Sequence, residues 1–247
     1  TWGDINTSEI IILAIHGYND YSNSFKIPAE YLSKSNIFTF SFDLDGFGRN
    51  DNSSSWFPLS VHKQVIKEEL LKLKKQYPKK KIFLLGESMG GAIITSLMTN
   101  DRELPIDGAV LVAPAMWNFS ESNFFKSLFM SLVSKLFPNL KVSSKGWVEV
   151  QASDNQEVLK ELSKDKYFIH HPNLKSLNGI IELMDESYKD AKNFFSQPSY
   201  NTLVVIPIKD EIVPRKPLIE LLEGTKIKSY DFSSHFLIFE SSYHMIL

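Results

Sequence analysis

The chain contains no cysteine. That excludes disulfides, thiolate metal sites and a cysteine nucleophile, and it leaves the compartment open. An excess of one charge is also missing. Lys and Arg number 27 against 29 Asp and Glu, a formal net charge of −2, so a general nucleic-acid-binding surface is not expected. No apolar run approaches the roughly 20 residues of a membrane-spanning helix. Phosphate-loop signatures are lacking, and Gly46-x-Gly48 has no third glycine to complete a dinucleotide fingerprint. There is no HExxH, and without thiolates a zinc site would need scattered histidines and carboxylates. No cofactor and no metal is therefore expected. An initiator methionine is absent as well: Thr1 points to a chain processed or cut from a longer one. What remains is 247 residues, 43% hydrophobic and 23% charged. That balance suits one large α/β domain, or a core with an insertion.

Short apolar runs followed by glycine-marked loops organise the first half. Glu9 to Ile15 reads as a strand buried on both faces and ends in His16-Gly17-Tyr18-Asn19-Asp20. Asn36 to Phe42 reads as a second strand, ending in Asp43-Leu44-Asp45-Gly46-Phe47-Gly48. From Pro58 to Tyr77 the period becomes helical, with Val61, Val65, Ile66, Leu70 and Leu73 on one stripe. Strands Ile82 to Leu85 and Gly108 to Pro114 follow. Alternating strand and helix favours a parallel sheet with crossover helices.

Between about Ala115 and Pro198 that alternation stops. Phe124, Phe125, Leu128, Phe129, Leu132, Val133, Leu136 and Phe137 make a wide apolar stripe at helical spacing, interrupted by lysines and serines. Ser153-x-x-Gln156 has the form of a capping box before a short helix. Leu177, Ile181, Met184, Tyr188, Ala191 and Phe195 form another stripe. The expected organisation is an α/β core of residues 1–114 and 198–247, with 115–197 as a helical cap over the sheet. The sheet resumes at Thr202 to Ile208, before Lys209-Asp210-Glu211. A helix near Pro217 to Leu222 then precedes a final strand region, Ile227 to Phe239.

The stretch with the most chemistry is Leu84-Leu85-Gly86-Glu87-Ser88-Met89-Gly90-Gly91. Gly86-x-Ser88-x-Gly90 between a strand and a helix is the pattern of the nucleophile elbow of α/β-hydrolases. The turn is so tight that only glycine tolerates the close approach on either side of the serine. The helix start places free N–H groups where negative charge develops in acyl transfer. Serine needs a base, and the base needs a carboxylate to fix its tautomer. Asp210 and His244 supply both, in the order Ser, Asp, His, each just past an expected strand. Strand C-terminal ends share one edge of a parallel sheet, so these loops converge on the elbow. Glu211, Asp231, Asp43, Asp45, His62, His170, His171 and His235 are weaker rivals by position. The oxyanion donors expected are the backbone N–H groups of Met89 and Tyr18, with His16 bracing the Tyr18 loop.

These residues resemble the monoacylglycerol lipase and lysophospholipase branch of the α/β-hydrolases, also grouped as serine aminopeptidase-like. The matching pieces are His16-Gly17 with Tyr18-Asn19-Asp20-Tyr21-Ser22, the loop Asp43-x-x-Gly46-x-Gly48, Gly86-Glu87-Ser88-Met89-Gly90-Gly91, Asp210-x-Ile212-Val213-Pro214, and His244. The resemblance implies Ser88 as nucleophile, Asp210 and His244 as its partners, and a cap carrying the acyl-chain pocket. Asp45 and Asn50 depart from the arginine and serine usual in relatives. The chain begins shortly before the first visible strand and stops three residues after His244, as expected of a domain fragment.

The expected activity is a serine carboxylester hydrolase acting on lysophospholipids or monoacylglycerols. Two rivals stand beside it. One is an aminopeptidase-like hydrolase holding an amine on Glu182, Asp185 or Glu186, and the other is a silent lipid-binding member of the fold. The expected partner is a small lipid or ester, with transient membrane-surface contact through the cap and no nucleic acid. The location expected is cytoplasmic or peripherally membrane-associated, and nothing in the sequence signals an oligomeric state.

Overall fold

The computed structural model describes residues 1–142, 152–224, 234–239 and 244. Six parallel strands form the centre: β1 (Ile10–Ile15), β2 (Ile37–Ser41), β3 (Lys81–Glu87), β4 (Gly108–Val112), β5 (Thr202–Pro207) and β6 (Ser234–Phe239). Their order across the sheet is β2-β1-β3-β4-β5-β6. Every pairing is parallel, with Ile15 beside Gly86 and Glu87 beside Val112. The winding reverses between β1 and β3, because β2 lies on one side of β1 and all later strands on the other. Open α/β sheets place their sites at such a switch point, outside the strand C-terminal ends.

Burial explains the strands. Ile11, Leu13, Ile15, Ile82, Leu84 and Leu111 are fully buried, each worth about 1.5–3 kcal/mol in transfer from water. On β3 the period is two. Ile82, Leu84 and Gly86 are buried, while the alternate residues Phe83, Leu85 and Glu87 are only partly covered. The sequence reading misses one element between β1 and β2. Ser22–Phe25 forms a 3-10 turn that runs into helix α1 (Lys26–Ser33), with Pro28 inside its first turn, where its missing N–H costs nothing.

Helix α2 (Leu59–Gln76) buries Leu59, His62, Ile66, Leu70 and Leu73, and its last turn carries Lys74 and Lys75 at the negative end of the helix dipole. Helix α3 (Met89–Asn100) follows β3 and is almost wholly buried. Helices α4 (Phe119–Ser122), α5 (Phe124–Leu136), α6 (Gln156–Leu162) and α7 (Leu174–Ser196) lie between β4 and β5, and α8 (Arg215–Gly224) lies between β5 and β6.

Three local expectations change. The cap of α6 is Asn155, whose side chain accepts the Val158 N–H, while Ser153 Oγ accepts the Asn155 N–H. The buried face of α7 runs through Gly179, Ile180, Leu183, Ser187, Ala191, Phe194 and Phe195, so Ala191 and Phe195 of the expected stripe lie on it while Leu177, Ile181, Met184 and Tyr188 are only partly covered. Small residues on this line let α7 lie close along α3, and Ile180, Leu183, Ala191, Phe194 and Phe195 join the main core. The stripe on α5 is mostly uncovered: Phe125 is 82% exposed and Phe129 68%, and only Ser134 of that helix is buried. Among the described residues no helix is long and apolar enough to cross a membrane. The expected strand residues 227–233, and Asp231 with them, lie outside the described residues.

Candidate active site

Strand β3 ends at Glu87 and α3 begins at Met89, so Ser88 alone makes the turn. Its φ of +50° is left-handed, a conformation costing about 1–3 kcal/mol outside glycine. The surroundings leave no relief. A Cβ at Gly86 would lie 2.6 Å from Gly91 N, and one at Gly90 would lie 2.1 Å from Ile15 O. Ser88 is clamped by its own backbone: its N–H donates to Val112 O, and its carbonyl accepts from Ala92 and Ala115 N–H. The side chain sits at the head of α3 with 8% of the residue exposed.

Asp210 lies three residues beyond β5 and His244 five beyond β6, both past strand C-terminal ends. His244 Nδ1 and Asp210 Oδ2 are 2.8 Å apart, and both side chains are nearly buried. Asp210 Oδ1 accepts the backbone N–H of Ile212 at 2.8 Å and of Val213 at 2.9 Å. The carboxylate is thus held from both sides, and its contact fixes Nδ1 as the protonated ring nitrogen. Glu87, next to Ser88, lies close enough to His244 and Asp210 for both to act on its carboxyl. Burial raises the Glu87 pKa, His244 opposes that rise and Asp210 adds to it.

The loop after β1 reaches the elbow directly. A Cβ at Gly17 would lie 3.3 Å from Ser88 Cβ and 3.9 Å from Ser88 Oγ. Tyr18 is next in the chain and Met89 follows the serine. Among the described residues no hydrogen bond engages the N–H of either. His16 anchors this loop. Its Nδ1–H donates to Gly17 O at 2.8 Å, and its Nε2 accepts the Leu44 N–H at 3.0 Å. Burial lowers its pKa to about 4, against small opposing effects of Gly17 and Asp43. It is neutral at pH 7 and spends both nitrogens on backbone.

The loop after β2 is closed by side chains. Asp43 Oδ1 accepts the Ser22 N–H and Oδ2 the Arg49 N–H. Burial works against the Asp43 carboxylate, but these bonds and Arg49 prevail and lower its pKa. The two departures from the family pattern serve this loop. Asn50 Nδ2 donates to the carbonyls of Asp43 and Leu44, and Asn52 Nδ2 donates to Asp45.

Of the weaker candidates, His170 bonds the Asp165 carbonyl, and both it and His171 are exposed. His62 is buried among Phe47 and Trp56. Sequence reasoning overlooks Asp20, which is buried beside the site and accepts the Tyr21 N–H. Burial, with Glu87 next in effect, pushes its pKa up to about 8. Its neighbourhood in the sequence carries no sign of this. An apolar cavity of about 470 Å³ lies between α1 and strands β3, β4 and β5; Glu87 lines it and Ser88 does not. Among the described residues no group of His, Asp and Glu is arranged to hold a metal ion.

Residues 6–247 match the family described as serine aminopeptidase, S33. The chain belongs to this family of α/β-hydrolases. This S33-family chain is 26% identical over 184 residues to the monoglyceride lipase of Rattus norvegicus, covering 72% of the chain and 58% of that protein. It is 22% identical over 219 residues to phospholipase YtpA of Bacillus subtilis (strain 168), covering 87% and 81%. It spans about half the length of the mammalian monoglyceride lipases it matches, 58%, 47% and 46%. The crystal structure of Paleococcus ferrophilus monoacylglycerol lipase superposes with a TM-score of 0.76 at 21% identity, over 98% of this chain and 88% of that one. That likeness establishes a shared fold.

Proposed function

We propose that this protein is a serine carboxylester hydrolase that works through an acyl-enzyme and acts on lysophospholipids or monoacylglycerols. Ser88 Oγ attacks the ester carbonyl carbon. The hydrogen bond from His244 Nδ1 to Asp210 leaves Nε2 as the lone-pair nitrogen, which takes the serine proton and returns it to the leaving alcohol. The carbonyl oxygen becomes an oxyanion held by the N–H groups of Tyr18 and Met89. Water, deprotonated by the same histidine, then releases the fatty acid and restores Ser88. The observation that carries this reading is the Asp210–His244 bond of 2.8 Å, formed by loops that leave the sheet on the elbow's edge.

The substrate class draws on the segment 115–197, which we read as a cap. Helix α5 and its tail expose Phe124, Phe125, Leu128, Phe129, Leu132, Leu136, Phe137 and Leu140. From 122 to 142 the sequence holds three lysines and no acidic residue. This face suits an anionic lipid surface from which a single-chain lipid is drawn. The relatives named monoglyceride lipase and phospholipase support the same class. An amine-binding site on the expected acids lacks comparable support. Glu182 accepts from Asn178, and Asp185 accepts the Ser120 N–H.

The test is hydrolysis of a matched panel: a long-chain lysophospholipid, a long-chain monoacylglycerol, a short-chain ester and an aminoacyl amide. The expected result is preference for the long-chain lipids and loss of all turnover in Ser88→Ala. Near-normal turnover in that variant refutes the nucleophile. Flat rates, or rates favouring the short ester, refute the lipid assignment.

A further inference from the structure

Tyr18 carries a phenol that the chemistry above does not use. Its backbone sits beside the nucleophile, but its side chain reaches across to the segment inserted between β4 and β5. There Tyr18 Oη and Ser176 Oγ are hydrogen-bonded at 2.8 Å, joining residues 158 apart in sequence. The ring packs edge-on against Phe47 and Trp56, with centroids 6.0 and 6.2 Å away. Burial keeps the phenol protonated.

Ser176 is itself held in place. It is buried in the first turn of α7, where its N–H donates to the capping Asn173 Oδ1 at 2.8 Å, and Asn173 Nδ2 donates to Ser54 O at 2.8 Å. One turn further along, Gly179 leaves room for the Trp56 ring, which a Cβ there would meet at 2.1 Å. The strand-like tail of α5 is bound to the same place: Val142 N–H donates to Pro172 O, Leu174 N–H to Leu140 O and Lys175 N–H to Pro138 O. The neighbouring residue is fixed as well, since Ile169 N–H donates to Asn19 O at 2.9 Å. The start of α7 is therefore a rigid abutment, and the Tyr18 side chain is the strut that runs from it to the loop beside Ser88.

We infer that Tyr18 and Ser176 are positioning residues, whose side-chain hydrogen bond sets the Tyr18 backbone N–H in the oxyanion hole against the fixed start of α7. This rests on the catalytic reading above. A donor that acts on the oxyanion contributes mainly in the transition state, and a small displacement of it costs rate rather than substrate binding. The hydroxyls touch no substrate atom in this role.

The experiment compares Tyr18→Phe, Ser176→Ala, the double variant and Ser176→Thr in the full chain, on esters of two acyl lengths. Tyr18→Phe and Ser176→Ala should each lower kcat about tenfold with KM unchanged. The loss should be equal for short and long acyl chains. The double variant should lose no more than either single one, because both remove the same bond, and Ser176→Thr, which keeps a hydroxyl, should recover most of the rate. The single variants approach the bond from opposite sides, so a folding failure in one leaves the other to decide. Unchanged kcat with a lowered Tm overturns the inference, as do additive losses or a loss confined to one acyl length. Fluorophosphonate labelling of Ser88 separates the two levels. An unlabelled wild type overturns the catalytic reading and this link together, whereas a labelled wild type with unaffected variants overturns the link alone.

Discussion

Asp210→Asn tests the proposed base with almost no change in shape. Asp210 makes three hydrogen bonds as an acceptor: Oδ1 with the N–H groups of Ile212 and Val213, and Oδ2 with His244 Nδ1 at 2.8 Å. Asparagine has one acceptor and one donor end. If its oxygen stays with the two backbone amides, its NH2 faces His244 Nδ1. The imidazole must then protonate Nε2, which turns an N–H toward Ser88 in place of a lone pair. If the amide flips instead, the NH2 meets two backbone donors at a site whose side chain is 3% exposed. Each donor left without an acceptor costs about 1–3 kcal/mol, so the first orientation wins. The histidine is held in the wrong tautomer, and kcat should fall by about 10⁴, equivalent to about 5.5 kcal/mol at 1.36 kcal/mol per decade. KM should hold, because the buried Asp210 carboxylate is taken up by Ile212, Val213 and His244, and the Tm should change little. Steady-state hydrolysis of a short-chain ester at pH 7, with thermal unfolding in parallel, measures all three. A kcat within tenfold of wild type refutes Asp210 as the partner of His244.

Two further perturbations address stability and the outer face. Among the described residues His62 finds no hydrogen-bond partner for either ring nitrogen. Burial lowers its pKa to about 4, with His16 adding to the fall and Asp45 and the Phe57 backbone opposing it. The folded pKa lies below the unfolded value, so its stability contribution is complete above about pH 6.5 and is lost as pH falls toward 4. His62→Phe removes that liability: relative to wild type it should gain about 2 kcal/mol at pH 5 over its value at pH 8, read from denaturant unfolding at both pH values, and a pH-independent difference refutes a buried neutral histidine. On α5, Phe125→Ser with Phe129→Ser should weaken co-sedimentation with vesicles containing phosphatidylglycerol by at least about 100-fold, taking about 1.5 kcal/mol or more per buried ring, while turnover of a dispersed short ester stays unchanged; equal sedimentation of variant and wild type refutes α5 as the lipid-facing helix.

Much of the sheet is legible in the sequence because its signal is local. Runs such as Ile10 to Ile15 and Gly108 to Val112 are apolar on both faces, as only central parallel strands need to be. The elbow is legible for the same reason: the contacts that demand glycine at 86 come from residues 90 and 91. Helix α1 is not legible. It has eight residues and buries only Ala29, too little to impose a period. The face of α7 is read only in part, at Ala191 and Phe195, because burial elsewhere on it follows small residues, and Gly179 and Ser187 carry no hydropathic weight. On α5 the apolar stripe is real, but its environment cannot be read from spacing: the same pattern serves a helix packed inward and one turned outward.

The chemistry and its control are therefore written at different ranges. Ser88 is held by neighbours within four residues, by strands β1 and β4 and by Ala115, and on the proposed reading a substitution there acts at the reacting atoms. Tyr18 is braced from Ser176, and Ser176 from Asn173, Ser54 and the tail of α5. No pattern of sequence spacing reports such a chain of supports, since each link joins distant segments and uses ordinary serine, asparagine and tyrosine. Substitutions at 138–142 and 172–176 should accordingly move the rate without touching Ser88, Asp210 or His244. The same segment bears the exposed face of α5, so the proposed lipid contact would fall on the segment whose tail is bonded to the start of α7. On the proposed reading, the face that meets lipid and the brace of the oxyanion loop belong to one bonded segment, and the link to Tyr18 is a hydroxyl that the elbow motif does not contain.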